Sequence, residues 1–257
     1  MTAPTATPAK PPAARRARLA ASLLAASLLA GCATGPGAHP SDPLEPYNRA
    51  MTTFNDRLDE AVLKPVATVY RDVTPQPVRT GVHNFFGNLG DAWSFVNNAL
   101  QLRGRDALDS LVRFNLNTVF GLGGVLDIAS EAGIARHKQD FGLTLGHWGV
   151  PTGPYLVLPI LGPSTVRDTA ALPVDWWGDA VRQVDPVSAR NSLYAFRIVD
   201  RRASLLRAES VLDSIAFDSY IFTRDVYLGL RSNADSPAAQ RRRNSSSEDD
   251  GRLPDDY

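Results

Sequence analysis

Apolar residues in this chain recur at helical spacing, in stripes bounded mostly by proline or glycine, and no stripe is both long and apolar enough to supply the roughly 20 residues that a membrane-spanning helix needs. Tyr47, Met51, Phe54, Leu58, Ala61 and Val62 recur behind Asp42-Pro43, which reads as an acidic N-cap with proline at the first helical position. Pro65 closes or kinks that helix. Val78, Val82, Phe85, Phe86 and Leu89 form a second stripe, entered through Pro75 and Pro77 and stopped by Gly87 and Gly90. Ala92, Val96, Ala99 and Leu100 restart the period from Asp91, and Gly104 ends it. Leu108, Leu111, Val112, Leu116, Val119 and Phe120 make the longest stripe, with Asp109, Arg113, Asn115 and Asn117 turned mostly the other way. Leu205, Ala208, Leu212 and Ile215 form a late stripe, and Ile221 to Leu230 continues as helix. No segment alternates convincingly with period two, so the spacing predicts an all-α domain.

One stretch departs from this pattern. Positions 121 to 162 hold nine of the 19 glycines, and Phe141 to Pro163 sets aromatic and apolar side chains on a backbone that helices tolerate poorly. A Gly/Pro-rich helical hairpin or a broken helix is the expected result. Trp148 to Leu161 would then serve as an interfacial or gating segment, or as packed core.

The ends of the chain read differently from its middle. Lys10, Arg15, Arg16 and Arg18 precede a run from Leu19 to Ala30 that is small or apolar apart from Ser22 and Ser27, the layout of an export signal over 1–31. The run closes on Ala30-Gly31-Cys32, which resembles the bacterial lipobox, with Cys32 as the lipidated first residue of the mature protein. Acyl chains contribute about 0.8 kcal/mol per buried methylene, so several of them on one residue make a stable anchor. The alternative is a secreted protein with an incidental thiol at Cys32. Residues 32–41 suit a flexible tether, 42–231 are enough for one domain, and 232–257 read as a disordered charged tail.

Composition narrows the function. Lys+Arg and Asp+Glu are balanced at 27 each, and loss of the four signal cations leaves 23 against 27 acidic residues, so there is no basic footprint for nucleic acid. A single cysteine excludes a disulfide framework. Gly121-Leu122-Gly123-Gly124 fails the dinucleotide fingerprint, because Leu126 stands where the third glycine belongs, and it reads instead as a helix end or close helix packing. His83, His137 and His147 lack zinc-helix spacing, and no Gly-x-Ser-x-Gly is present. Arg167-Asp168 and Asp175 could be buried acid–base groups, but a salt bridge or helix cap is the favoured reading. No catalytic residue, metal site or cofactor is expected.

Several stretches together resemble the MlaA (also called VacJ) family of outer-membrane lipoproteins. They are Asp42-Pro43-Leu44-Glu45-Pro46-Tyr47-Asn48-Arg49, Pro65-Val66-Ala67, Asn84 to Leu89, Arg113-Phe114 through Gly124, Asp140 to Gly146, Gly153 to Pro159, Gly162 to Asp168, Asp218-Ser219-Tyr220 and Arg224 to Tyr227. Thr169-Ala170-Ala171 and Ser219 depart from the family pattern. The resemblance implies a single domain of amphipathic helices arranged as a ring around a central, polar-lined channel, held on the periplasmic side of the outer membrane. It also implies phospholipids as cargo, outer-membrane porin trimers as partners and the soluble periplasmic carrier MlaC as recipient. Beyond Cys32 for anchoring, Arg113, Asp168, Asp175 and Arg224 are the candidate polar channel or hairpin-supporting groups. A scaffold for porins or carriers that conducts no lipid is the alternative, and a lipid hydrolase lacks a nucleophile–base set.

Overall fold

Polar residues turned inward at every third or fourth position organise the two central helices of this protein. The computed structural model describes residues 40–215 and 218–233. The export signal, Cys32 and most of the 232–257 tail lie outside the described residues. The chain forms α1 (Glu45–Leu58), a π-helical turn (Asp59–Leu63), α2 (Lys64–Val73), α3 (Gln76–Leu100), α4 (Gly104–Val119), α5 (Ile128–Glu131) and α6 (Phe141–His147). A hairpin of β1 (Tyr155–Leu158) and β2 (Gly162–Thr165) follows, then α7 (Val166–Gly178), a 3-10 turn (Ala180–Gln183), α8 (Val187–Ile215) and α9 (Ser219–Asn233). The all-α reading holds, with this one small antiparallel sheet as its exception.

Burial on α4 runs opposite to that of a water-soluble helix. Ala107, Ser110, Arg113 and Asn117 face inward, while Leu108 and Val119 are 61% and 68% exposed. On α3, Asn88, Asp91, Ser94, Asn97 and Asn98 are buried, and Val78, Val96 and Leu100 are exposed. Among the described residues, 19 polar or charged side chains are buried against 11 apolar ones. That ratio requires the interior to be held by hydrogen bonds, because a buried polar group without a partner costs about 1–3 kcal/mol. Ser94, Asn97, Asn98, Gln101, Ser110, Gln139 and Thr144 supply them. Gln101 donates to Gln139 and Thr144, each at 3.0 Å, Thr144 donates to Asn97 at 2.8 Å, and Asn98 reaches Ser110 at 3.3 Å. The apolar stripes on α3 and α4 are real helix faces, but they face outward.

Several sequence expectations shift. Asp42 caps no helix, since α1 begins at Glu45 without a side-chain cap and Asp42 is fully buried elsewhere. Pro65 neither stops nor sharply breaks its helix. The preceding π-turn widens the backbone, and Pro65 sits in the first turn of α2, where its missing N–H costs nothing. Gly87 and Gly90 lie inside a continuous 25-residue α3, and Asp91 is a buried mid-helix carboxylate, not a cap. Glycine costs about 1 kcal/mol in a helix, too little to end one whose inner face is tied down on both sides. The late stripe on α8 buries Ala203 and Leu206 and exposes Leu205, about a residue off the expected face. The Gly121 to Gly124 run does end a helix: the N–H of Gly124, at φ +98°, donates to the Asn117 carbonyl at 2.9 Å. A Cβ there would stand 2.6 Å from the Asn88 amide, so only glycine fits the close approach of α3.

The segment expected as a helical hairpin contains a β-hairpin instead. Tyr155 pairs with Thr165 and Leu158 with Gly162, and the reversal places Ile160 and Gly162 at φ +67° and +80°. The free edge of β1 meets side chains where another strand would lie. Asn48 donates to the Tyr155 carbonyl at 3.0 Å and accepts from the Val157 N–H at 2.8 Å. One helical stretch later, Asn55 donates to the Leu158 carbonyl at 3.0 Å and accepts from the Ile160 N–H at 2.7 Å. Two asparagines seven residues apart on α1 thus mimic a β-ladder and protect the edge. Asn48→Ala orphans a buried carbonyl and a buried N–H, so urea or thermal unfolding in detergent should show a loss of about 2–4 kcal/mol.

Candidate functional site

Arg113 on α4 is 1% exposed and is the largest of the fully buried side chains. Its Nη2 donates to both oxygens of Asp127 at 2.8 and 2.9 Å, its Nε lies 3.4 Å from Asp91, and Nη1 donates to the Ile134 carbonyl. Arg136 adds a second guanidinium, 3.1 Å from Asp91 and 3.6 Å from Asp127. Asn117 donates to Asp127 at 2.9 Å and accepts the Ala129 N–H at 2.9 Å. Two carboxylates and two guanidiniums balance, which is the condition for keeping charge in a low-dielectric interior.

The two acids differ in character. Burial opposes ionisation of Asp127, but hydrogen bonds from Ser130 and Asn117, with the Arg113 charge, outweigh it and hold the carboxyl at about 2. Burial pushes Asp91 above the usual carboxylate range against the pull of Arg136 and Arg113. Asp127 is therefore the firmly ionised partner that binds α5 to α4.

Asp168 and Asp175, both on α7, converge on the start of α6. Asp168 accepts from Arg231 Nε at 2.7 Å, from Tyr227 at 3.1 Å and from Arg167 at 3.1 Å. Arg231 also grips Asp140, the N-cap of α6, at 2.6 Å. Burial resists a charge on Asp168, yet Arg231 and Arg167 hold its carboxyl below the ordinary range. A Cβ on Gly142 would lie 2.5 Å from the Asp168 carboxylate, so this position needs glycine. Asp175 accepts from the Phe141 N–H and from Trp93 Nε1, each at 2.8 Å, and burial pushes it up.

Arg224 on α9 is buried beside Asp42 at 3.4 Å, and Asp42 also accepts from Tyr220 and, at 2.8 Å, from Asn48. Arg224 thus acts on the hairpin through Asp42 and Asn48. The four predicted side chains do not share one site. Asp168 and Asp175 meet at α6, Arg224 anchors the hairpin side, and Arg113 joins α3, α4 and α5. Each of the four is held by protein partners, and Asp168 forms the salt bridge that its favoured reading anticipated.

Among the described residues, cavities open between the elements, and three of them are distinct in character. One of about 420 Å³ lies between α1, the π-turn, the hairpin and α9, with Asp56, Asp59, Glu60 and Lys64 in its wall. A groove of about 490 Å³ is almost wholly apolar and is lined by Val78, Val82, Phe85, Phe86, Leu193 and Phe196. The third, about 590 Å³, is polar and carries Arg71, Arg79, His83 and Arg207. Sequence reasoning missed these last residues, because they come from three helices and share no motif. Among the described residues, no group of three His, Cys, Asp or Glu is placed to hold a metal ion.

This chain thus encloses a polar, charge-balanced interior in a shell of exposed valine, leucine and aromatic side chains. Residues 40–234 match the model of the MlaA lipoprotein family. The chain belongs to this family. It is 37% identical over 217 residues to the intermembrane phospholipid transport system lipoprotein MlaA of Escherichia coli K12, covering 82% of this chain and 85% of that one. The protein of the same name from Haemophilus influenzae is 35% identical over 221 residues, covering 80% and 85%. A solved structure, from work on the structural basis for maintenance of bacterial outer membrane lipid asymmetry, superposes with a TM-score of 0.63 at 35% identity. It covers 76% of this chain and 100% of its own. As a family member, the protein is a membrane-associated lipoprotein, although no described helix is long and apolar enough to cross a membrane.

Arg113→Ala should cost about 3–5 kcal/mol, because it leaves two buried carboxylates, Asp91 and Asp127, to share the single guanidinium of Arg136. Since the Asp127 carboxyl is depressed to about 2, its stabilisation is complete above its unfolded value of about 3.9 and is lost as pH falls toward 2. Asp127→Asn should therefore lower stability at pH 7 and flatten the fall in melting temperature between about pH 4 and 2, measured by circular dichroism in detergent.

Proposed function

We propose that this lipoprotein takes mislocalised phospholipids from the outer leaflet of the outer membrane and passes them to a soluble periplasmic carrier of the MlaC type, so preserving lipid asymmetry. The observation that carries this reading is the reversed burial on α3 and α4, where polar side chains are enclosed and apolar ones face out. In water such a surface would drive aggregation, whereas against acyl chains it has no cost. A charged headgroup crossing hydrocarbon meets a barrier of several kcal/mol, and a polar conduit lowers it. The acyl tails stay in lipid throughout, and no covalent bond changes. The names of the similar proteins from Escherichia coli and Haemophilus influenzae, both given to phospholipid transport, support the same reading.

In this proposal the helices lie as a ring around a central channel within the periplasmic leaflet, Cys32 carries the acyl anchor, and trimeric porins hold the protein in place. Arg113, Asp168, Asp175 and Arg224 keep the ring rigid by fixing helix to helix. The aromatic segment near Trp148, whose N–H donates to the Leu100 carbonyl at 3.1 Å, and the exposed Trp176 and Trp177 sit at the membrane interface, where amphipathic indoles are favoured. The chain brings no energy source of its own, so the carrier and its downstream acceptor set the direction of net flow.

Deleting the gene should raise surface-exposed phospholipid and sensitivity to detergent with EDTA, and restoring the wild-type chain should reverse both. Unchanged surface phospholipid in a strain without a parallel pathway would overturn the transport reading. Cys32→Ala should leave the protein unlipidated and absent from outer-membrane fractions, and ordinary membrane fractionation of that variant would refute the anchor.

A further inference from the structure

The N-terminal part of α3 crosses α8 and separates two of the cavities. On one side lies the apolar groove of Val78, Val82, Phe85, Phe86, Leu193 and Phe196. On the other lies the polar pocket, with Tyr70 and Arg71 from α2, Gln76, Arg79, Thr80 and His83 from α3, and Asp200, Ser204 and Arg207 from α8. Phe196 is the divide, stacked edge-on to Tyr70 at 5.6 Å on the pocket side and to Phe86 at 6.2 Å on the groove side. The two spaces are therefore neighbours, one suited to hydrocarbon and the other to charge.

The charge is positive. Arg71 and Arg79 bring two guanidiniums to a wall that also holds Arg207 and, among its described residues, one carboxylate, Asp200. That carboxylate already has partners, accepting from Tyr70 at 3.2 Å and lying 3.4 Å from the His83 ring. Arg71 pairs with its exposed neighbour Asp72 at 2.9 Å, a contact that solvent weakens. The Arg79 Nε is shut off from solvent with no hydrogen-bond partner. Gln76 opens α3 behind Pro75, which offers no side-chain cap, so the first turn adds a partial positive charge to the same wall. Planar guanidiniums with hydroxyl donors such as Thr80 and Ser204 match the oxygens of a phosphate group.

We infer that the pocket between α2, α3 and α8 binds a phosphate group, that of a phospholipid headgroup, while the adjoining groove takes an acyl chain. The assignment rests on the transport reading and names where the cargo rests. Arg79 is the main ligand because its orphaned nitrogen is already desolvated, so a bound phosphate restores a hydrogen bond that the apo protein lacks.

The test uses full-length lipidated protein in nanodiscs of phosphatidylethanolamine and phosphatidylglycerol, doped with a phospholipid that carries a photoreactive acyl chain. Labelling is expected on peptides bearing Phe85, Phe86 or Phe196, and Arg79→Gln should reduce it about tenfold, the equivalent of losing one charge-assisted hydrogen bond. Undiminished labelling in a variant that melts like wild type would overturn the pocket. In the wild-type protein, a diacylglycerol with the same photoreactive chain and no phosphate should label these peptides far less, and equal labelling by the two probes would also overturn it. Inorganic phosphate should compete with the phospholipid. If phosphate instead protects the Arg79 peptide while lipid never labels the groove, the occupant is the free anion and the headgroup assignment falls. Phospholipid labelling elsewhere on the chain removes this inference alone, whereas no labelling anywhere removes the transport reading as well.

Discussion

Arg113 can remain inside this protein only because Asp91, Asp127 and Arg136 enclose it in a neutral set of charges, and much of the fold follows from satisfying that requirement. Asp91 comes from the middle of α3, so α3 must run unbroken past Gly87 and Gly90 to deliver it. Asp127 caps α5 and binds Asn117, which fixes the loop after α4 and requires glycine at 124 where that loop meets Asn88. One buried cation thus dictates the crossing of α3 and α4, the two helices with the most extensive mutual packing. The same rule recurs at Asp168 with Arg231 and at Asp42 with Arg224, each time joining the C-terminal helix to an earlier element.

These enclosed charges and amides account for the exposed apolar residues. A helix whose inner face is asparagine, serine and arginine has only its outer face left for valine and leucine. Such a molecule is stable where its outer surface meets lipid, because there the hydrophobic effect no longer favours turning Leu108 or Val119 inward. Interior hydrogen bonding then sets the specificity that apolar packing sets in soluble proteins. The neighbouring apolar groove and cationic pocket extend this logic from residues to cargo, since an amphiphile needs both environments within one molecule's length.

How much could be read in advance differs element by element. The helical periods of α1, α4 and α9 were legible because their stripes are long and uninterrupted, and the Gly121 to Gly124 helix end was legible from its glycines. The continuity of α3 was not, because a glycine's local cost of about 1 kcal/mol looks decisive until tertiary contacts outweigh it. The β-hairpin was hidden because four residues with a single alternation fall below any periodic signal, and because its outer edge is completed by Asn48 and Asn55 from a hundred residues away. Arg113, Asp168, Asp175 and Arg224 stood out in the sequence as polar groups, but the fold sets them at three separate junctions and not in one site.

The sequence alone determined that the chain folds as amphipathic helices, because its apolar residues recur at helical spacing with polar ones between them. Spacing and composition are local properties, and they carry that much. Which face of each helix points inward was decided only by the tertiary structure. Periodicity gives a helix two faces without giving it a solvent, and only the pairing of distant charges chose the polar face for the interior.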